Sequence, residues 1–208
     1  MQSRSISREL ALLLLGQISE NNLSDLDVLS IEKILNKALD TLMDHWREEL
    51  DFCANQLEIA QDELRDSEFK DIDKNRNQIV RMHLKNCLIK GEDIINSLSE
   101  TIELSRLLTL SDQAKIRTGA IQRVLLVTQE FQLIDSSLDK VMEGWRLKRL
   151  PRIDRDILRL AFVDLNKLNI PTAVACNEAV NLANRYSDEN GRRMINGILR
   201  RIQNNSSF

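Results

Sequence analysis

Arginine dominates the chemistry this sequence offers. Arg146, Lys148, Arg149, Arg152, Arg155 and Arg159 place six cations within fourteen residues, with Asp154 and Asp156 among them. Arg192-Arg193 and Arg200-Arg201 add two further pairs near the C-terminus. A guanidinium fork suits a phosphate, and the free N–H groups at a helix N-terminus add backbone donors for the same anion. Asn190-Gly191-Arg192-Arg193, at the opening of the final helix, has that arrangement, with Met194 next in line. At the other end, Ser3-Arg4-Ser5-Ile6-Ser7-Arg8 sets two arginines and three hydroxyls ahead of the first helix. That strip reads equally as phosphate contacts or as the N-cap serines of a frayed end. Ordinary solvated helix faces have the same basic composition, so charge alone leaves both readings open.

Catalysis finds no comparable support. The chain has no glycine-rich phosphate loop, no G-x-S-x-G and no H-E-x-x-H. Asp154 and Asp156 stand two apart, about 200° round a helix, and so cannot share one site. The three cysteines, Cys53, Cys87 and Cys176, form neither a disulfide framework nor a C-x-x-C pair. They read as small buried apolar residues rather than nucleophiles. With only His45 and His83 besides, no metal-ligand spacing exists. The expectation is a non-enzyme without cofactor or metal, reduced and cytoplasmic. The longest apolar run, Leu10 to Leu15, is too short to span a bilayer, which takes ~18 residues. Glu9 before it and the lack of an A-x-A-like site after it argue against a signal peptide.

The elements that must position these residues are helices. Among 208 residues there are 2 Pro and 6 Gly, too few for the reverse turns of a β-sandwich or an α/β fold. A hydrophobic fraction of 42% is enough for a core, so the fold class is all-α. A first helix is predicted from about Ser7 to Ser19, with a loop at Asn21–Asp25. A long second helix follows from Ser30, a fitting N-cap, with an apolar stripe through Ile31, Leu35, Ala38, Leu42, Trp46, Leu50, Cys53, Leu57, Ala60 and Leu64. Asp66 to Asn77 is the predicted turn. A return helix carries Val80, Leu84, Cys87, Leu88, Ile94, Ile95, Leu98 and Ile102. The pair forms either an inserted antiparallel hairpin or two helices lying flat on one larger bundle.

Ser111-Asp112 is expected to cap a helix running to Leu133, and Asp135 to start one ending near Trp145. Pro151 opens a helix through Asn166 and Pro171-Thr172 one to Tyr186, positions where the missing proline N–H is harmless. Asp188–Gly191 reads as a turn, with the last helix starting from about Arg192. Charge follows the same division. Residues 1–143 hold 17 Lys/Arg against 26 Asp/Glu, and residues 144–208 hold 12 against 6, inside a total of −3. A basic C-terminal third on an acidic chain suits a polyanion or an acidic partner.

Within that third, Leu150-Pro151-Arg152-Ile153-Asp154-Arg155-Asp156-Ile157-Leu158-Arg159-Leu160-Ala161 closely resembles the NusB family of bacterial transcription antitermination factors. Pro171, then Asn177-Glu178-Ala179-Val180 with Leu182-Ala183, and Ile195-Asn196-Gly197-Ile198-Leu199 follow in the family's order and spacing. Arg8-Glu9-Leu10-Ala11 fits its N-terminus less distinctively. The resemblance implies two three-helix subdomains, interrupted here by the long helices. It further implies binding of boxA-type single-stranded leader RNA of ribosomal-RNA operons together with a NusE-type ribosomal protein, and an indirect hold on RNA polymerase. The family's RNA contacts carry over to Arg4 and Arg8, and to Asn190, Gly191 and Met194, flanked by Arg192 and Arg193. At the last three the family usually has an acid, a Ser or Thr, and Phe. The partner-protein face carries over to Lys148 and Asp154.

The expected organisation is residues 1–20 as the first helix of a NusB-like domain, 24–110 as the long helices with the hairpin insertion, and 111–208 as the remainder. Two functions follow: an RNA-binding antitermination factor, or a non-catalytic scaffold whose hairpin docks another partner. A third, the NusB-like domain preceding an RNA cytosine methyltransferase, needs a Rossmann-like catalytic domain for which the sequence has no room before Phe208.

Overall fold

The structure, a computed structural model, describes residues 2–19, 26–69, 76–111, 113–142, 144 and 146–204. Among them are eight α-helices and no strand. They are α1 (Gln2–Gln17), α2 (Val28–Phe69), α3 (Arg76–Ser111), α4 (Ala114–Gln129), α5 (Phe131–Val141), α6 (Arg152–Asn166), α7 (Thr172–Tyr186) and α8 (Glu189–Asn204). A single 3-10 turn, Leu147–Arg149, precedes α6. The chain divides into two compact units, Met1–Ala38 with Leu110–Phe208, and Leu39–Thr109.

In the first unit α1, α4 and α5 form one trio and α6, α7 and α8 the other, with α6 touching helices of both. A helix at that position is buried all round rather than along one stripe. Every residue of α6 from Asp156 to Asp164 is buried, as is Asp154. Its charged side chains therefore sit inside the fold and must be paired there. Leu10, Leu14, Ile116, Val124, Leu182 and Ile195 supply the apolar core around it. Pro151 and Pro171 stand at the N-caps of α6 and α7, where a missing N–H costs nothing.

Several boundaries differ from expectation, each for a local reason. α1 starts at Gln2, so Ser3, Ser5 and Ser7 lie within the helix and do not cap it. α2 starts at Val28, because the Asp27 carboxylate rather than Ser30 takes the capping role: the Ser30 N–H donates to Asp27 Oδ1 at 2.8 Å. A bond from the Ser30 hydroxyl, and then this one from its N–H, lower the Asp27 pKa. The expected helix through Leu133 breaks at Glu130 (φ −114°, ψ 22°) into α4 and α5, with no glycine or proline to announce it. The expected loop at 21–25 and the middle of the expected turn, 70–75, lie outside the described residues.

The second unit is an antiparallel helical hairpin of α2 and α3. Glu49 pairs with Ser97, Cys53 Sγ donates to the Ile94 carbonyl at 3.9 Å, and Glu63 Oε2 meets His83 Nδ1 at 2.5 Å. Numbers rise on one arm as they fall on the other, which fixes a single register. The seam is small and polar. Cys53, Gln56, Ala60, His83, Ser97 and Thr101 are buried, whereas Leu57, Leu88, Ile95 and Ile102 of the predicted stripes are exposed.

Candidate nucleic-acid interface

The site is built in the first unit from the opening turn of α8. Asp188 caps the helix: its Oδ1 accepts the Gly191 N–H at 2.7 Å, and its carbonyl accepts the Arg192 N–H at 3.0 Å. Residues 189–191, expected in a turn, thereby become the first turn of α8. Gly191 is buried against α6. A Cβ there would come within 2.5 Å of Asp154 Oδ2 and closer still to Ser187 Oγ, so the glycine is what lets the two helix openings approach.

With Gly191 turned inward, Asn190, Arg193 and Met194 line a groove of about 630 Å³ between α8 and the end of α5, together with Met142, Gly197, Ile198 and Arg201. Asn190 and Arg193 are exposed and Met194 is half-buried. Arg193 pairs with Glu189 one turn back, and Arg201 Nη1 donates to the Val141 carbonyl at 3.5 Å. Arg192 is exposed but does not line the groove; its Nε donates to the Asp188 carbonyl at 3.3 Å. The lining combines an amide, guanidinium groups and thioether surface at a helix N-terminus. That set can hold a phosphate oxygen, meet a base edge and cover an unstacked base.

Arg4 lies in a different groove, of about 470 Å³, where α1 packs on α4. Ser3, Lys115, Thr118 and Gln122 share it, above Gly119, which comes close to Ser7. The two grooves have no lining residue in common. Sequence reasoning missed Lys115, Thr118 and Gln122. Their spacing of three and four along α4 is the signal that could have found them.

Arg8 is not on that surface. It is 2% exposed, with Nε on Asp164 and Nη1 at 3.6 Å from Glu178. Arg123 shares the same carboxylate through a 2.9 Å bond and also donates to the Gly119 carbonyl at 2.9 Å. Burial lowers the Arg123 pKa, Asp164 partly restores it, and the neighbouring Arg8 charge lowers it again. One buried carboxylate thus ties α1, α4 and α6 together. This corrects the grouping of Arg8 with Arg4: a residue at that depth presents no cation to a polyanion.

Asp154 departs from expectation in the same way. At 1% exposure it lies beneath Gly191, and its carboxylate flanks the first turn of α8, where the helix dipole favours negative charge. It has no surface to offer a partner protein. Lys148, by contrast, is exposed on the 3-10 turn, which Asp139 holds by accepting the Leu147 N–H at 2.7 Å.

The six-cation run also divides. Arg159 is buried and grips both Asp135 oxygens (2.8 and 2.9 Å) and Asp156 (2.7 Å), with its guanidinium 4.2 Å from the Phe131 ring centre. Burial acts to lower its pKa, but the bonds and charge of Asp135, then Asp156, outweigh it, and the pKa is raised. Arg152 donates to the Leu15 carbonyl at 2.7 Å and to that of Ile18, closing the end of α1. Arg155 reaches the Lys148 carbonyl at 3.3 Å. Arg146, Lys148 and Arg149 face solvent. Among the described residues no group of three His, Cys, Asp or Glu is placed to hold a metal, and no helix is long and apolar enough to cross a membrane.

Comparison with known proteins bears on the whole chain. The family model described as "NusB family" matches residues 73–204. The transcription antitermination protein NusB of Synechocystis sp. is 37% identical over 203 residues, 97% of this chain and 90% of that protein. Its namesake from Synechococcus elongatus is 38% identical over 202 residues, 97% and 93% of the two chains. At 97% coverage these alignments run through Leu39–Thr109, so such relatives carry a counterpart of the hairpin sequence. A solved NusB from T. maritima is 33% identical and matches 49% of this chain and 75% of its own, with a TM-score of 0.43. By the family match over 132 residues and by relatives aligned almost end to end, this chain belongs to the NusB family.

Proposed function

We propose that this protein is a transcription antitermination factor. Without catalysing a reaction, it holds boxA-type leader RNA of ribosomal-RNA operons together with a NusE-type ribosomal protein, and RNA polymerase then reads through terminators. The observation that carries the RNA half is the first turn of α8, where Asn190, Arg193 and Met194 line one groove over a buried Gly191. Arginine takes the backbone phosphate, the Asn190 amide meets a base edge, and the Met194 thioether covers the flat face of an unstacked base in place of the family's aromatic. Arg4 with Lys115 supplies a second, electrostatic contact. Asp154 acts from below by seating α8. The exposed turn with Arg146, Lys148 and Arg149 is the surface on this side for the protein partner.

Equilibrium titration of boxA RNA and a scrambled control, at two salt concentrations and with or without the NusE-type protein, tests this. The expected result is tighter binding of boxA, sharpened by the partner, with affinity falling as salt rises. Equal affinity for both RNAs with the partner present leaves only the scaffold reading.

A further inference from the structure

The hairpin leaves a regular apolar seam uncovered. On α3, Leu84, Leu88, Gly91, Ile95, Leu98 and Ile102 follow one another in steps of 4, 3, 4, 3 and 4, the spacing of a coiled-coil interface. Half of that stripe, Leu88, Ile95 and Ile102, turns away from the buried line of α3, and Leu84 and Leu98 border it. The buried line holds His83, Ser97 and Thr101, while Leu88, Ile95 and Ile102 are 75%, 69% and 69% exposed. On α2, Leu50 and Leu57 are exposed too, seven residues apart. At 100° per residue they lie about 70° round α2 from its buried line, and the α3 stripe lies about 110° round from its own, in the same rotational sense. Because the helices are antiparallel, an equal sense puts both sets on one face of the hairpin.

We propose that this face is the interface of a homodimer, in which two hairpins pack face to face about a two-fold axis. Three observations favour a second copy as the occupant. First, the exposed parts of the seven side chains amount to on the order of 700 Å² per copy, above the ~300–600 Å² of an ordinary monomer's largest patch. Two copies bring ~1,400 Å², within the roughly 1,200–2,000 Å² of a stable specific interface. Second, the 4-3-4-3-4 spacing reads the same in both directions, as a two-fold contact between antiparallel α3 helices requires. It sets Leu84 against Ile102 and Leu88 against Leu98 of the mate. It also sets Gly91, around whose missing Cβ there is nothing within 4 Å, against Ile95, so that space meets bulk. Third, the hairpin's own seam is narrow and polar, and a helix pair with so little apolar burial between its arms gains stability from a second layer. A second copy of the chain supplies that layer in fixed stoichiometry.

Sedimentation equilibrium of the full chain from ~1 to ~100 μM reads this directly. The expected mass is twice the 24.0 kDa of one chain. Leu88→Glu with Ile95→Glu is expected to weaken the dimer by roughly 100-fold or more. Gly91→Arg keeps the result interpretable if that variant loses helix. It removes a helix-weakening glycine at a position where an added Cβ has nothing within 4 Å in the single chain, yet its side chain fills the space opposite Ile95 of the mate. Met82→Glu with Ile89→Glu, on the opposite face, is expected to leave the dimer intact. A wild-type chain that stays monomeric throughout overturns the proposal. So does a dimer that persists in Gly91→Arg, or one lost equally in the opposite-face variant.

Discussion

Replacing Asp164 by Asn tests whether one carboxylate holds the first unit together. Asp164 is 1% exposed and receives Arg8 Nε and Arg123 Nε, from side chains 3% and 7% exposed. Asparagine keeps the shape and one acceptor but removes the charge that both guanidinium groups face. Breaking a buried ion pair by losing one partner costs about 3–5 kcal/mol. Glu178, at 3.6 Å from Arg8 and less buried, compensates part of the loss, which sets the expectation near 3 kcal/mol. For a chain of this size that corresponds to a fall in Tm of roughly 6–12 °C. Peptide-level hydrogen exchange localises the effect: amides of α1, α4 and α6 should open together, while those of the hairpin keep their protection. Asp164→Leu with Arg8→Met and Arg123→Met, which removes the buried charges and leaves only the less buried Glu178, should recover most of the loss. A cost below ~1 kcal/mol for Asp164→Asn, or a triple variant no better than the single one, refutes the ion-pair account.

Other expectations follow from the same geometry. Arg4→Ala and Lys115→Ala should each weaken RNA binding and reduce its salt slope by about 1, with an unchanged melting curve. Arg8→Ala should lower Tm, and a loss of affinity without loss of stability would restore it to the RNA surface. Gly191→Val forces a β-branched side chain against Asp154 and should destabilise by about 1–3 kcal/mol and abolish the boxA preference, measured by urea titration and RNA binding. Burial raises the Cys176 pKa, so the folded protein keeps a proton that the unfolded chain gives up above roughly pH 8.5. Stability from this group is complete below that pH and falls as pH rises past it; Cys176→Ala should flatten the slope. In timed alkylation, half-buried Cys87 should react before buried Cys53 and Cys176.

The C-terminal third was the most legible part of the chain. Pro151 and Pro171 can occupy only a narrow set of helix positions, and both helices begin directly after them. The serines at the start of α1 are ambiguous by type, because a hydroxyl near a helix start reads as a cap. Ser7 instead lies buried against Gly119 of a helix more than a hundred residues away. Arg8 and Asp154 show why residue type did not give the site. An arginine in a basic strip and one inside an ion pair look alike until the elements covering them are known. The hairpin shows the same limit for apolar residues. Spacing of three and four says that Leu88, Ile95 and Ile102 share a face, but not which surface covers it. Here Glu49–Ser97 and Glu63–His83 drew the other side of α3 inward.

The central claim is tested most directly by transcription through a terminator placed downstream of a boxA leader. Purified RNA polymerase would be supplied with this protein, the NusE-type ribosomal protein and the remaining elongation factors. Read-through should rise on the boxA template when this protein is added, stay at background on a scrambled leader, and fall back with Arg193→Ala together with Asn190→Ala. Read-through that is unchanged by the protein, or raised equally on both templates, contradicts the account.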